Sequence, residues 1–233
     1  MSHWKIVDDY FRNNNVSGAI SYLNGFLSAN NAQQFGSIVG ASFTNPPSSV
    51  LAEINRFIEA NEKQFDVKAV YLEINGFDIN HERWYFDLFA YSSYSENVDD
   101  TEWLCNWQSD QWPEIDLTGM TSAQEAFAWY HNERIWKSQP ELKSVYEASM
   151  LLITAKFAQL IGTALEAGHL FKAIPVLATA HGFESLVRYE PWHITVVSPW
   201  LIGQISSVLT TPISFHVRTA PSFFNRSPDD TDL

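Results

Sequence analysis

Between Glu96 and Asp116 the chain places seven carboxylates, Glu96, Asp99, Asp100, Glu102, Asp110, Glu114 and Asp116, without one Lys or Arg. Trp103, Trp107 and Trp112 fall in the same window, and Tyr91 and Tyr94 just precede it. Carboxylates beside large rigid rings can do two kinds of chemistry. Spread over a surface, the charges steer a cationic partner in and the rings anchor it. Arranged in a cleft, indole faces stack on pyranose rings, and paired carboxylates serve as acid and base or nucleophile. For the surface reading the partner-binding set is Glu96, Asp99, Asp100, Glu102, Trp103, Trp107 and Trp112. For the cleft reading the carboxylates are Glu73, Asp87 and Glu102. Against both stands a solvated acidic loop whose tryptophans turn inwards to the core.

Other chemistry has less to work with. His81-Glu82 with Asp78 upstream, and His181 near Glu184, offer ligand types. Neither has a recognised zinc spacing such as HExxH, so each reads as a solvated turn and no metal is expected. The seven histidines are scattered and suggest no Ser/His/Asp or Cys/His centre. Cys105, between Trp103 and Trp107, reads as a small packed residue. Gly36, Gly40 and Gly76 do not follow a strand as a phosphate-cradling loop does. No catalytic residue and no cofactor is expected.

Charge narrows the partner class. The 233 residues hold 27 Asp+Glu against 14 Lys+Arg, a formal net charge of -13. Sixteen of those acids and only five bases lie between Asp66 and Glu147. Such a balance disfavours nucleic acid and anionic membrane, which select basic surfaces, and leaves a basic protein. At 45% hydrophobic and 15% aromatic, the chain can offset the entropy of ordering. A single cysteine excludes an intramolecular disulfide and fits a reducing cytoplasm. Met1–Phe11 has no long apolar core of a leader. Pro191–Val217 lacks formal charge, but Ser198, Gln204, Pro199 and Pro212 interrupt it as a membrane span. A soluble cytoplasmic protein is expected.

The elements that must carry these residues follow from periodicity. Trp4, Val7 and Phe11, then Ile20, Leu23 and Leu27, repeat at helical spacing. Ser48 is placed to cap a helix bearing Leu51, Ile54 and Ile58. From Val67 the period changes to two. Val67–Ile74 and Arg83–Tyr91 read as a hairpin whose Val70/Leu72/Ile74 and Trp84/Phe86/Leu88 face helices. A short strand is expected at Trp103–Trp107. Thr121 with Gln124, and Ser138 with Glu141, have capping-box spacing, the second opening a long helix to Gly168. Ile174–Ala180, Leu186–Tyr189, Ile194–Ser198 and Ile213–Arg218 read as further strands. The expectation is α+β: one domain over 1–224, a small antiparallel sheet packed against several helices, with a flexible acidic tail at 225–233.

The hairpin Val70–Phe77 with Arg83–Asp87, followed by the acidic tryptophan loop, resembles the immunity proteins of bacterial toxin systems in general character. The likeness covers the central third of the chain, and the uncharged stretch from Pro191 departs from it. It implies a compact cytoplasmic protein that neutralises a cognate toxin by binding it. The expected function is therefore a non-enzymatic acidic binding protein, an inhibitor or immunity-type partner of a basic protein. The alternatives are a carbohydrate-active hydrolase using paired carboxylates, or a homo-oligomeric structural protein joined through an exposed Tyr71/Tyr85/Phe89 face.

Overall fold

The computed structural model describes residues 2–30, 33–97, 99–183 and 186–191. The strands expected at Ile194–Ser198 and Ile213–Arg218, the uncharged stretch beyond Pro191 and the 224/225 boundary lie outside the described residues. In chain order the elements are α1 (His3–Arg12), α2 (Val16–Ala29), α3 (Ser37–Gly40), α4 (Pro47–Glu62), β1 (Ala69–Ile74), β2 (Tyr85–Tyr91), β3 (Ile115–Asp116), α5 (Thr121–Asn132), α6 (Ile135–Ser138), α7 (Lys143–Glu166), β4 (Val176–Ala180) and β5 (Val187–Tyr189). The fold is α+β, as the two periodicities imply.

Local chemistry sets the helix ends. Ser2 caps α1, and the Asn15 side chain caps α2 by accepting the Gly18 N–H at 2.9 Å. α4 starts at Pro47 rather than after Ser48, because a proline at the first position gives up an N–H that has no partner there anyway. The two expected capping boxes do not form. Thr121 already lies inside α5, whose cap is Met120. Gln139, ahead of Pro140, is held out of the helical region at φ -136°, so the chain breaks there into a 3₁₀ turn, Pro140–Leu142. The long helix therefore begins at Lys143, five residues later than Ser138.

α7 is the centre of the molecule. It buries residues all round, from Val145 and Leu152 to Phe157 and Leu165, which marks a helix enclosed by neighbours. α2 and α4 pack on it, and so does β4. By length and composition this helix could cross a bilayer, but most of the span is buried inside the fold. At Gly162 an added Cβ would meet the Tyr189 ring at 3.0 Å, so the small residue lets β5 approach. The Tyr189 hydroxyl then donates to the Ala158 carbonyl.

The sheet order is β3-β2-β1-β4-β5. Three of its pairings are antiparallel, but β1 and β4 run parallel, so the expected antiparallel sheet is a mixed one. After the hairpin the chain makes three helices before returning to the free edge of β1, and a long crossover is what a parallel neighbour requires. Every residue of β4 is buried, the pattern of a strand covered on both faces.

Alternation divides the sheet. Val70, Leu72, Ile74, Phe86, Leu88, Ala90, Val176 and Ala178 join the helices in the main core. The register puts Ala69, Tyr71 and Glu73 beside Tyr91, Phe89 and Asp87 on the second face, with Leu177 and Arg188 continuing it. A smaller apolar cluster forms there around Ala69, Tyr71, Tyr91, Trp103 and Leu177. Tyr71 is only 8% exposed, so the face expected for self-assembly keeps just Tyr85 and Phe89 half-open.

Candidate functional site

The acidic loop returns along the outer edge of β2 and lays Trp103 and Trp107 on the second face of the sheet. Trp103 lies in a 3₁₀ turn, Glu102–Cys105, where a strand was expected. The turn lets its indole drop onto Tyr91 and Tyr94, edge-on at 4.8 and 5.4 Å, while Nε1 donates to the Asp100 carbonyl at 3.0 Å. A strand would have pointed Trp103 and Cys105 to the same side. In the turn Trp103 is 8% exposed and Cys105 is exposed, against the packed position expected for the thiol.

The three tryptophans therefore separate. Trp103 closes the small cluster, and Trp112 packs on the main core, edge-on to Phe57 at 5.3 Å. Trp107 remains 52% exposed, its ring edge-on to Phe89 at 5.4 Å. Phe89 in turn stacks on Tyr71 at 5.7 Å, so one aromatic row runs from buried to open.

The carboxylates divide as well. Asp99 is held by Arg12 at 2.7 Å, and Arg12 also grips Asp8. Glu114 and Asp116 both bond Arg83, whose guanidinium lies over the Tyr85 ring. The Asp100 side chain accepts the Glu102 backbone N–H at 3.3 Å. Among the described residues Glu96, Asp100, Glu102 and Asp110 form no ion pair, and Glu96, Glu102 and Asp110 are exposed.

On the sheet itself Glu73 and Asp87 stand directly opposite each other. Glu73 accepts the Tyr71 hydroxyl at 2.5 Å and pairs with His181 Nδ1 at 2.8 Å. Among the described residues Asp87 forms no ion pair. Burial, then the charges of Glu114 and Glu73, raise its carboxyl above the ordinary value, with Arg83 opposing. This like-charge pair continues the loop's field across the strands. Asp87 and Phe89 lay outside the expected contact set, although period-two spacing already put them on one face with Glu73.

Arginines hold the loop in place. Arg188 of β5 donates to Tyr94 Oη and Ser95 O at 3.2 and 3.1 Å, and to Asn97 O at 3.3 Å. Tyr94 passes its own proton towards Glu190 at 2.5 Å. On the far side Gln108 N–H donates to Ala90 O and Ser109 Oγ accepts Ala90 N–H, both at 3.0 Å.

A shallow cleft at Arg83, Gln111, Trp112, Pro113 and Glu114 lies on this loop, and another of about 330 Å³ lies between Ser42–Pro47 and α7. Neither is lined by Glu73, Asp87 or Glu102. Among the described residues no three His, Cys, Asp or Glu side chains converge as metal ligands, and Glu184 is outside them. Comparison with protein-family models, curated proteins and solved structures finds no match to this chain.

Proposed function

We propose that the second sheet face and its acidic loop form a docking surface for a basic protein, the chain acting as an inhibitor or immunity-type partner, with a toxin as one such target. The observation that carries this is Trp107: a half-exposed indole braced by Phe89 on a loop whose carboxylates are largely uncompensated. A braced ring loses little freedom on burial, and its charged rim accelerates encounter with a cation. The contact set so supported is Asp87, Phe89, Glu96, Glu102, Trp107 and Asp110. Asp99 is exposed but tied to Arg12, Trp103 supports the face from below, and Trp112 anchors the loop on the main core.

The test is capture from a lysate of the native host at low salt, elution by a salt gradient, and titration of the released protein against variants. A basic partner should emerge, with Trp107→Ala and the pair Glu102→Gln/Asp110→Asn each weakening it by about tenfold or more. Asp99→Asn should change affinity little. Affinity indifferent to salt and to Trp107→Ala would refute the reading.

The cross-strand pair Glu73/Asp87 favours a second reading, a carbohydrate-active hydrolase. It requires turnover of a glycoside that Glu73→Gln or Asp87→Asn abolishes without unfolding the chain. A homo-oligomer is tested by the dependence of solution mass on concentration.

A further inference from the structure

His81 lies in the connection between β1 and β2, and His131 in the last turn of α5. Their rings stack with centroids 5.4 Å apart and planes 26° from parallel. Tyr146 of α7 joins them to Asp78: its hydroxyl donates to Asp78 Oδ2 at 3.3 Å, and its oxygen is 3.1 Å from His131 Nε2. With its hydrogen directed to the carboxylate, the Tyr146 oxygen accepts, which puts the His131 proton on Nε2. His81 Nδ1 is buried and, among the described residues, has no hydrogen-bond partner.

That nitrogen decides what acid does. A neutral imidazole keeps one nitrogen bare, whereas an imidazolium carries N–H on both. Protonating His81 in place therefore buries a donor with no acceptor and sets a cation against the neighbouring ring. The surroundings offer little relief. From the connection come Asp78, already bonded to Tyr146, and exposed Glu82. α5 adds Tyr130 and exposed Glu133, and α7 adds Glu147 and Tyr146, the latter stacked on Tyr130 at 4.3 Å. The 3₁₀ turn Gln33–Gly36 brings the ring of Phe35.

We propose that Asp78–Glu82 is an acid-released latch, held on α5 and α7 at neutral pH and lifted when the His81–His131 pair is protonated. Its flanks are buried and its tip is open, and the Ile79 and Asn80 amides both donate to Gly76 O, at 3.2 and 2.9 Å. Phe77 and Trp84 are buried, with Trp84 Nε1 donating to Phe77 O at 3.0 Å, while Ile79 is 66% exposed. Burial, and for His81 the neighbouring His131, hold both imidazoles below 6.5 against the pull of Asp78. The closed form thus binds fewer protons than the open one, and closure is lost as pH falls below that value.

The test is hydrogen exchange of the Ile79 and Asn80 amides in the full chain, corrected for intrinsic rates, from about pH 7.5 to about 5. Protection should fall by about tenfold in the native protein and stay within about twofold in His81→Phe, which keeps a flat ring. In His131→Phe, which leaves the His81 nitrogen but removes the neighbouring charge, it should fall less than in the native protein. His181→Gln should behave as the native protein. Unchanged protection in the native chain, or undiminished acid loss in His81→Phe, overturns the proposal. Ring-proton titration of the native protein adds a second check: a His81 midpoint at or above the ordinary 6.5 overturns the latch, because the closed form would then bind a proton as readily as the open one.

Discussion

Lys156 sits in the middle of the buried central helix α7, and its Nζ reaches the carbonyls of Ile38, Val39 and Ala41, at 2.6 and 3.1 Å for the first two. These carbonyls lie where α3 ends; Ile38 O also accepts the Ala41 N–H at 3.2 Å, and the ammonium serves the carbonyls of Val39 and Ala41 beside it. Burial pulls the ammonium down to about 8, still protonated at neutral pH. Lys156→Met should lower stability by about 2–4 kcal/mol in denaturant titration, since it removes the ammonium that donates to three carbonyls inside the fold, of which only Ile38 O keeps the Ala41 N–H as a donor. A loss below about 0.5 kcal/mol would mean water replaces the lysine freely. The residue scale is also where the sequence was least readable. Nothing in the spacing of Trp103, Trp107 and Trp112 distinguishes the one that opens to solvent. That depends on a 3₁₀ turn stabilised by Tyr91 and Tyr94, which is a tertiary choice. Asp99 likewise meets Arg12 from a helix far away in sequence.

Among the elements, the acidic loop from Ser92 to Glu114 has little regular structure, so its shape rests on side chains from elsewhere. Arg188 is one of these ties, with donors to Tyr94, Ser95 and Asn97. Arg188→Ala should raise amide exchange across 95–97 by an order of magnitude and cost about 1–2 kcal/mol globally. Exchange confined to its native rate would show that Arg12 and Gln108 suffice. The regular elements were legible for the reason the loop was not. Helices α1, α2 and α4 and the β1–β2 hairpin declare themselves through local periodicity, and their facing residues emerged as expected. The parallel partner of β1 did not, because pairing between distant strands leaves no local mark. The capping boxes misled because Pro140 and Met120 outweighed hydroxyl spacing.

Taken whole, the protein carries a net charge of -13 with most of the excess between Asp66 and Glu147. Salt should then act in opposite directions on its two equilibria. Screening relieves self-repulsion, so raising ionic strength from about 0.02 to about 0.5 M should raise Tm by several degrees, read by calorimetry. The same change should weaken the proposed docking. A Tm that falls with salt would mean that ion pairs such as Arg83 with Glu114 and Asp116 outweigh the repulsion.

The parallel seam between β1 and β4 has a consequence in time. Val70 lies opposite Val176, so the sheet's central joint waits on roughly a hundred residues of intervening chain. On the ribosome the first hairpin can zip as soon as it emerges, yet one flank of β1 stays an open template until β4 is synthesised. A nascent chain halted before Val176 would carry a sticky, half-built sheet, and its escape from aggregation would depend on the pace of translation and on chaperones rather than on the stability of the finished protein.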